Sequence, residues 1–195
     1  MLYEKDPSGV WFESAVKALE YLARSRKNRT RIPADHWALL ATAKMLSFEN
    51  RDELPVSREL LINHAAQISD SILQSQVESH KRPAYDGGFS KDGRTTLTAT
   101  RLEGLLSTLS FFPSNNELRN RIVAAVPRGI AFLLRAQVRE GRFVGAFPRA
   151  VDRIDQGIPN VDKFNRRATE VRIDYVQHAL SAMVQYLDKM KDKGL

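Results

Sequence analysis

The chain contains no cysteine. That excludes disulfides, thiolate metal ligands and a cysteine nucleophile, and it leaves the redox compartment open. No run of about 18 apolar residues occurs, so no membrane span is expected. No GxGxxG or Walker pattern is present to cradle nucleotide phosphates, no HExxH pair to hold zinc, and no GxSxG elbow to present a serine nucleophile. The opening MLYEKDPSGVWF lacks a basic stretch followed by an apolar one, so with Met1 as the natural start the expected location is cytoplasmic.

What remains is the composition of a folded protein: 43% hydrophobic and 27% charged over 195 residues, enough for one domain spanning 1–195 with a real core. The net charge is +7, which favours acidic partners in general. Its densest basic run, RSRKNRTR at 24–31, has no aromatic residues interleaved for base stacking. It reads as a solvated loop, and nucleic acid is not expected as a partner.

Six segments carry apolar residues at helical spacing, and no alternating strand pattern competes with them. They are 10–26, 34–46, 56–79, 97–111, 115–138 and 168–191. In the first, Trp11, Ala15, Leu19 and Leu22 form one stripe; in the second, Trp37, Leu39 and Leu40 face inward and Asp35 is placed to cap. Pro127 should kink or divide the fifth segment, because it removes a backbone donor. Loops rich in Gly, Pro, Asn and Asp separate the helices. The longest, 141–167, holds Gly145, Pro148, Gly157 and Pro159 and is too long to be a plain connector.

A repeat emerges from this layout. Longer segments (10–26, 56–79, 115–138) alternate with segments that open on polar residues and turn apolar. Gly87–Phe89 reads GGF and Gly145–Phe147 reads GAF, while Ile72–Gln76 matches Leu133–Gln137. A period near 60 residues made of two helices describes stacked helical hairpins. The expected fold class is all-α, an array of helical hairpins.

RGIAFLLRAQVREGRF at 128–143 resembles the QW motif of terpenoid cyclases and related α/α toroids. Arg128, Gly129, Phe132, Leu133, Gln137 and Gly141 stand at the motif's spacing, with Phe143 where that family has Trp. VKALEYLARSR matches the first half through Lys17, Tyr21 and Leu22. The resemblance implies an α/α toroid in which the Gln ties a helix end to the following loop. It does not bring the terpenoid chemistry: no DxDD segment supplies a proton, the prenyltransferase zinc set lacks its Cys, and aromatics at 8% are too few for a carbocation cavity. Sugar-processing (α/α)6 barrels share the arrangement, with acids, His, Arg and Tyr at the mouth of the barrel. A closed toroid of that kind needs twelve helices and six are legible here. The chain therefore forms about half of a toroid, as the C-terminal part of a longer one, as a homodimer, or as an open arc whose ends expose apolar faces.

RIDYVQHA is the most chemically loaded stretch. Asp174 and His178 are spaced i, i+4 and share a helix face, Tyr175 is three residues before His178, and Arg172 precedes them. A carboxylate beside an imidazole can orient a general base; the bland reading is a stabilising pair. Two metal ligands could sit there, but nothing completes the set, so neither metal nor cofactor is expected. Glu103 is a candidate acid or base, and Arg101 and Arg172 are candidate ligands for an anionic group. Asp35 and Trp37 occupy the same position in the first hairpin, where the ring could stack on a sugar or fill the core. Tyr85, Phe147 and Arg149 lie in the two Gly-rich loops and are candidate binding residues. His64 and His80 are isolated and read as surface or interface residues.

The expected function is a carbohydrate-active or carbohydrate-binding protein for an anionic sugar or polysaccharide. Catalysis, where present, is expected to be hydrolase-, lyase- or epimerase-like, with Asp174, His178, Tyr175 and Glu103 moving protons. Two alternatives stand: a non-enzymatic repeat module that binds a protein or polymer on its concave face, and a terpenoid-cyclase-like protein.

Overall fold

The computed structural model describes residues 10–48, 55–79, 81–155 and 160–193; His80, Gly157 and Pro159 lie outside them. Among the described residues seven α-helices run in the order α1 (Trp11–Arg26), α2 (His36–Leu46), α3 (Arg58–Leu73), α4 (Thr95–Thr108), α5 (Glu117–Ala136), α6 (Val161–Asn165) and α7 (Ile173–Lys193), with a 3-10 turn at Pro83–Tyr85. There is no sheet among the described residues, only two isolated bridges, so the fold is all-α. No described helix is long and apolar enough to cross a membrane.

Local signals fix several helix starts. Asp35, Ser57 and Asn116 cap α2, α3 and α5 through their side-chain oxygens, which accept from Ala38 N, Leu60 N and Arg119 N. The longer helices pack in one row, α1 on α3 and α3 on α5, while α2, α4 and α7 form a second row with α4 in its middle. Each of these helices also packs on its neighbour in the chain. Helix α4 is enclosed nearly all round, with Thr95, Thr98, Ala99, Leu102, Leu105 and Leu106 all buried. Its buried threonines need internal partners: Thr98 Oγ1 accepts from Phe89 N at 3.0 Å, and Thr108 donates to the Leu105 carbonyl. At Gly104 the backbones of α2 and α4 come so close that a Cβ would stand 3.0 Å from that of His36.

Several boundaries and faces differ from the sequence expectation. Helix α3 stops at Leu73 rather than 79, because Val77 instead exchanges backbone bonds with the Gly loop: Val77 N donates to Gly88 O at 2.7 Å and Gly87 N to Val77 O at 2.9 Å. Helix α7 starts at Ile173 rather than 168, because residues 166–169 form a turn and Arg149 N and Ala150 N donate to the carbonyls of Glu170 and Ala168. Helix α4 starts two residues earlier than read and ends at Thr108, and α6 breaks up the long 141–167 loop.

Pro127 does not divide α5, which runs unbroken over 20 residues. Buried Ile122, Val126, Ile130 and Leu133 anchor it on both sides of the proline, and Gln76 Nε2 donates to the Ala125 carbonyl at 2.9 Å within that turn. The inward stripe of α1 is Val16, Leu19 and Ala23, leaving Trp11 exposed. Trp37, placed on the inward stripe with stacking on a sugar as its other reading, is 63% exposed, and His64, read as a surface or interface residue, is 2% exposed.

Candidate functional site

Two places in the fold gather chemistry. The first lies where the starts of α2 and α7 meet the middle of α4. Glu103 is 4% exposed, and a buried carboxylate demands a partner. It finds one in His178, whose Nδ1 stands 2.8 Å from Glu103 Oε2. A carboxylate only accepts, so Nδ1–H donates and Nε2 is left as the basic nitrogen. His36 closes the group, its ring centroid 6.0 Å from that of His178, and Trp37 lies 4.9 Å from His36 and 6.4 Å from His178. His36 Nε2 is buried without a hydrogen-bond partner among the described residues. Burial holds the His36 pKa below the ordinary imidazole value; Glu103 and Asp35 pull the other way, and His178 adds to the lowering.

This is not the grouping the spacing suggested. Asp174 accepts from Arg172 Nε at 3.0 Å, and the Arg172 guanidinium lies 5.3 Å from the Tyr175 ring centre. The carboxylate on His178 thus comes from another helix. Asp35 caps Ala38 N and accepts from Arg26 Nη1 at 2.8 Å, a structural occupation that secures the start of α2. His36, flanked in sequence by two candidates, was the residue to add. Its signal was position, at the polar opening of the second segment.

The second place is a cleft of about 490 Å³ at the N-terminal end of α4. Its walls carry Arg82, Lys91, Arg94, Arg149, Lys163 and Arg167 against one carboxylate, Asp92. Phe164 forms its floor, with the guanidinium groups of Arg149 and Arg94 at 5.4 and 5.7 Å from the ring centre. Three of the cations are already engaged: Arg94 with Asp92 at 2.7 Å, Arg82 with Asp155 at 3.5 Å and Arg167 with Glu170 at 2.7 Å. Lys91, Arg149 and Lys163 have no ion pair among the described residues.

Of the residues singled out from sequence, Arg149 lies in this cleft and Tyr85 supports it. The Tyr85 hydroxyl donates to Arg153 O at 3.3 Å and its ring stands under Arg82 at 4.6 Å. Burial pushes the Tyr85 pKa up against the pull of Arg82. Arg101 is partly buried in the field of Asp92; burial lowers its pKa and Asp92 opposes the shift. Phe147 is a core residue, 3% exposed. Lys91, Lys163, Phe164 and Arg167 went unmarked because they converge only once the long loop has folded. Among the described residues no group of three His, Asp or Glu side chains is arranged to hold a metal ion.

Comparison with known proteins gives no matching family model, no matching curated protein and no matching solved structure.

Proposed function

We propose that the chain recognises an anionic carbohydrate and seats the acidic group in the cleft at the start of α4. The observation that carries this is the charge of the walls: six cations face one carboxylate, and three of the six have no described counter-ion. Guanidinium forks match planar carboxylates and sulfates in two-point fashion, and a concave cluster of one sign raises the local concentration of the opposite sign. A half-toroid of helical hairpins, the reading offered by the QW-like segment, suits such a role, because it presents loops from successive hairpins along one edge.

Calorimetric titration with oligouronates is the test. Binding should appear at low ionic strength, weaken as salt is added, and drop about tenfold in each of Arg149→Gln and Lys163→Gln, the loss of one charge-assisted contact. A neutral oligosaccharide of equal length should not bind. Uronate binding that ignores both substitutions would sink this reading.

A second reading, proton transfer on the bound sugar, is favoured by the imidazole pair. Glu103 orients His178 with Nε2 as a base, burial keeps His36 neutral, and the exposed indole of Trp37 offers a ring face beside them. Such a pair can remove a proton from carbon on one imidazole and return one from the other. Incubation of uronates in heavy water should then place deuterium on the recovered sugar, read by mass spectrometry. His178→Gln should abolish the exchange while the melting temperature moves little. Absence of exchange from every uronate that binds would end the catalytic reading and leave a binding protein.

A further inference from the structure

The two Gly-rich loops are built alike and finished differently. In the first, Gln76 Nε2 donates to Gly87 O at 3.0 Å, Val77 N to Gly88 O at 2.7 Å and Gly87 N to Val77 O at 2.9 Å. In the second, Gln137 Nε2 donates to Gly145 O at 2.9 Å, Val138 N to Ala146 O at 2.9 Å and Gly145 N to Val138 O at 2.8 Å. The same three bonds close both.

The first loop is then covered by the next long helix. The Arg128 carbonyl of α5 lies against Gly87, leaving no room for a Cβ, and the Phe132 ring stands 2.9 Å from where a Cβ of Gly88 would be. Arg128 adds ion pairs to Glu78 at 2.8 Å and Asp86 at 3.2 Å. Among the described residues the second loop carries no such cover. None of them stands within 4 Å of the Cβ position at Gly145, and Leu134, Phe143 and Val144 are exposed. At the same end of the array, Leu180, Val184 and Leu187 form an exposed apolar stripe along α7.

The piece that fits the second loop is present at the far end of the same chain. In α1, Lys17 stands at the repeat position of Arg128, Tyr21 at that of Phe132 and Leu22 at that of Leu133. Phe132 is 0% exposed because the first loop covers it, whereas Tyr21 is 71% exposed. Among the described residues Lys17 pairs with exposed Glu13, a contact that contributes little and exchanges readily. The 138–147 loop carries a single carboxylate, Glu140, to receive it. Within its own chain α1 packs on α2 and α3, at the opposite end of its row from α5, so the two halves of this junction are held apart.

We infer that a second copy of the chain seats its α1 on the loop between Gln137 and Phe147 as α5 seats on the loop between Gln76 and Phe89, giving a head-to-tail assembly. The contact is heterologous: the surfaces differ, and each copy carries both. The internal α3–α5 junction is its template, which places Lys17 beside Gly145 and Glu140 and Tyr21 over Ala146, with the Tyr21 ring displaced outward to clear the Cβ that Gly88 lacks.

Light scattering from micromolar to millimolar protein should show the mass rising from 22.1 kDa to a multiple of it. Tyr21→Asp, at an exposed position, should hold the mass at one chain with an unchanged melting temperature. Because the chain has no cysteine, the register can be read directly. A mixture of Tyr21→Cys and Ala146→Cys should form a mixed disulfide under mild oxidation, and neither variant alone should cross-link. A single-chain mass throughout together with no mixed disulfide overturns the inference, and so does self-association that survives Tyr21→Asp. If a different protein then binds at Gly145, that protein is the occupant and the second copy is not.

Discussion

Gly87→Ala should be close to the most damaging single substitution in the chain, lowering stability by about 4 kcal/mol. Two penalties combine. Gly87 has φ of +79°, a conformation in which a Cβ meets its own backbone and costs about 1–2 kcal/mol. The added methyl would also press into the Arg128 carbonyl of α5, and backbone cannot rotate away as a side chain can. Relief requires shifting α5 or the loop, at a further cost of about 1–3 kcal/mol of strained packing. For a chain of this size the melting temperature should fall by roughly 10 °C. Gly145→Ala is the matched control. Its φ is +87° but none of the described residues lies within 4 Å, so only the conformational penalty of about 1–2 kcal/mol applies. Thermal unfolding of the two variants followed by circular dichroism checks the difference, and equal losses would mean that the close approach of α5 contributes nothing.

Acid should destabilise the protein through His64 well before its carboxylates titrate. Burial, reinforced by the Arg26 guanidinium with Nη1 3.5 Å from His64 Nε2, holds the His64 pKa down at about 4, and Asp35 offsets this only in part. The sign follows from which state holds the proton. Below the ordinary imidazole pKa of about 6.5 the unfolded chain protonates this histidine and the folded chain does not, so stability falls as pH falls. The fall spans about pH 6.5 to 4 and amounts to about 3 kcal/mol, a large part of the 5–15 kcal/mol typical of folded domains. His36, also lowered by burial, acts in the same direction. Urea unfolding of the native chain and of His64→Leu across this range isolates the contribution. The native curve should be steeper by that amount, and parallel curves would refute the assignment.

Much of the helix layout was legible because burial in a two-row array leaves a stripe on each long helix. The residues 16, 19 and 23 of α1, and 122, 126, 130 and 133 of α5, keep that spacing. Asp35 could be read as a cap because capping is a local hydrogen bond, settled within three residues. Boundaries failed where a distant segment offered better backbone partners: Gln74–Ser79 had helical periodicity, but the Gly loop took its amide and carbonyl groups. The site was half legible. His178 and Glu103 were each marked, yet their pairing crosses 75 residues of sequence, and Asp174, at the favourable i, i+4 spacing, was drawn off by Arg172. Trp37 had core spacing and faces solvent, because the surface that α2 turns to α4 is that of His36 and Leu39, against Gly104. The basic cleft was the least legible, because four separate segments supply its charges.

Main-chain bonds run between several of those segments. Thr95 N donates to Arg149 O, Arg149 N to Glu170 O, Ala150 N to Ala168 O and Val151 N to Gly93 O. Such bonds are indifferent to which side chain each residue bears, and Lys91 and Lys163 make no ion pair among the described residues. These two lysines can therefore be exchanged without renegotiating the fold. A lineage carrying this scaffold is free to change what it grips by altering a few surface codons, while the frame that presents them stays as it is.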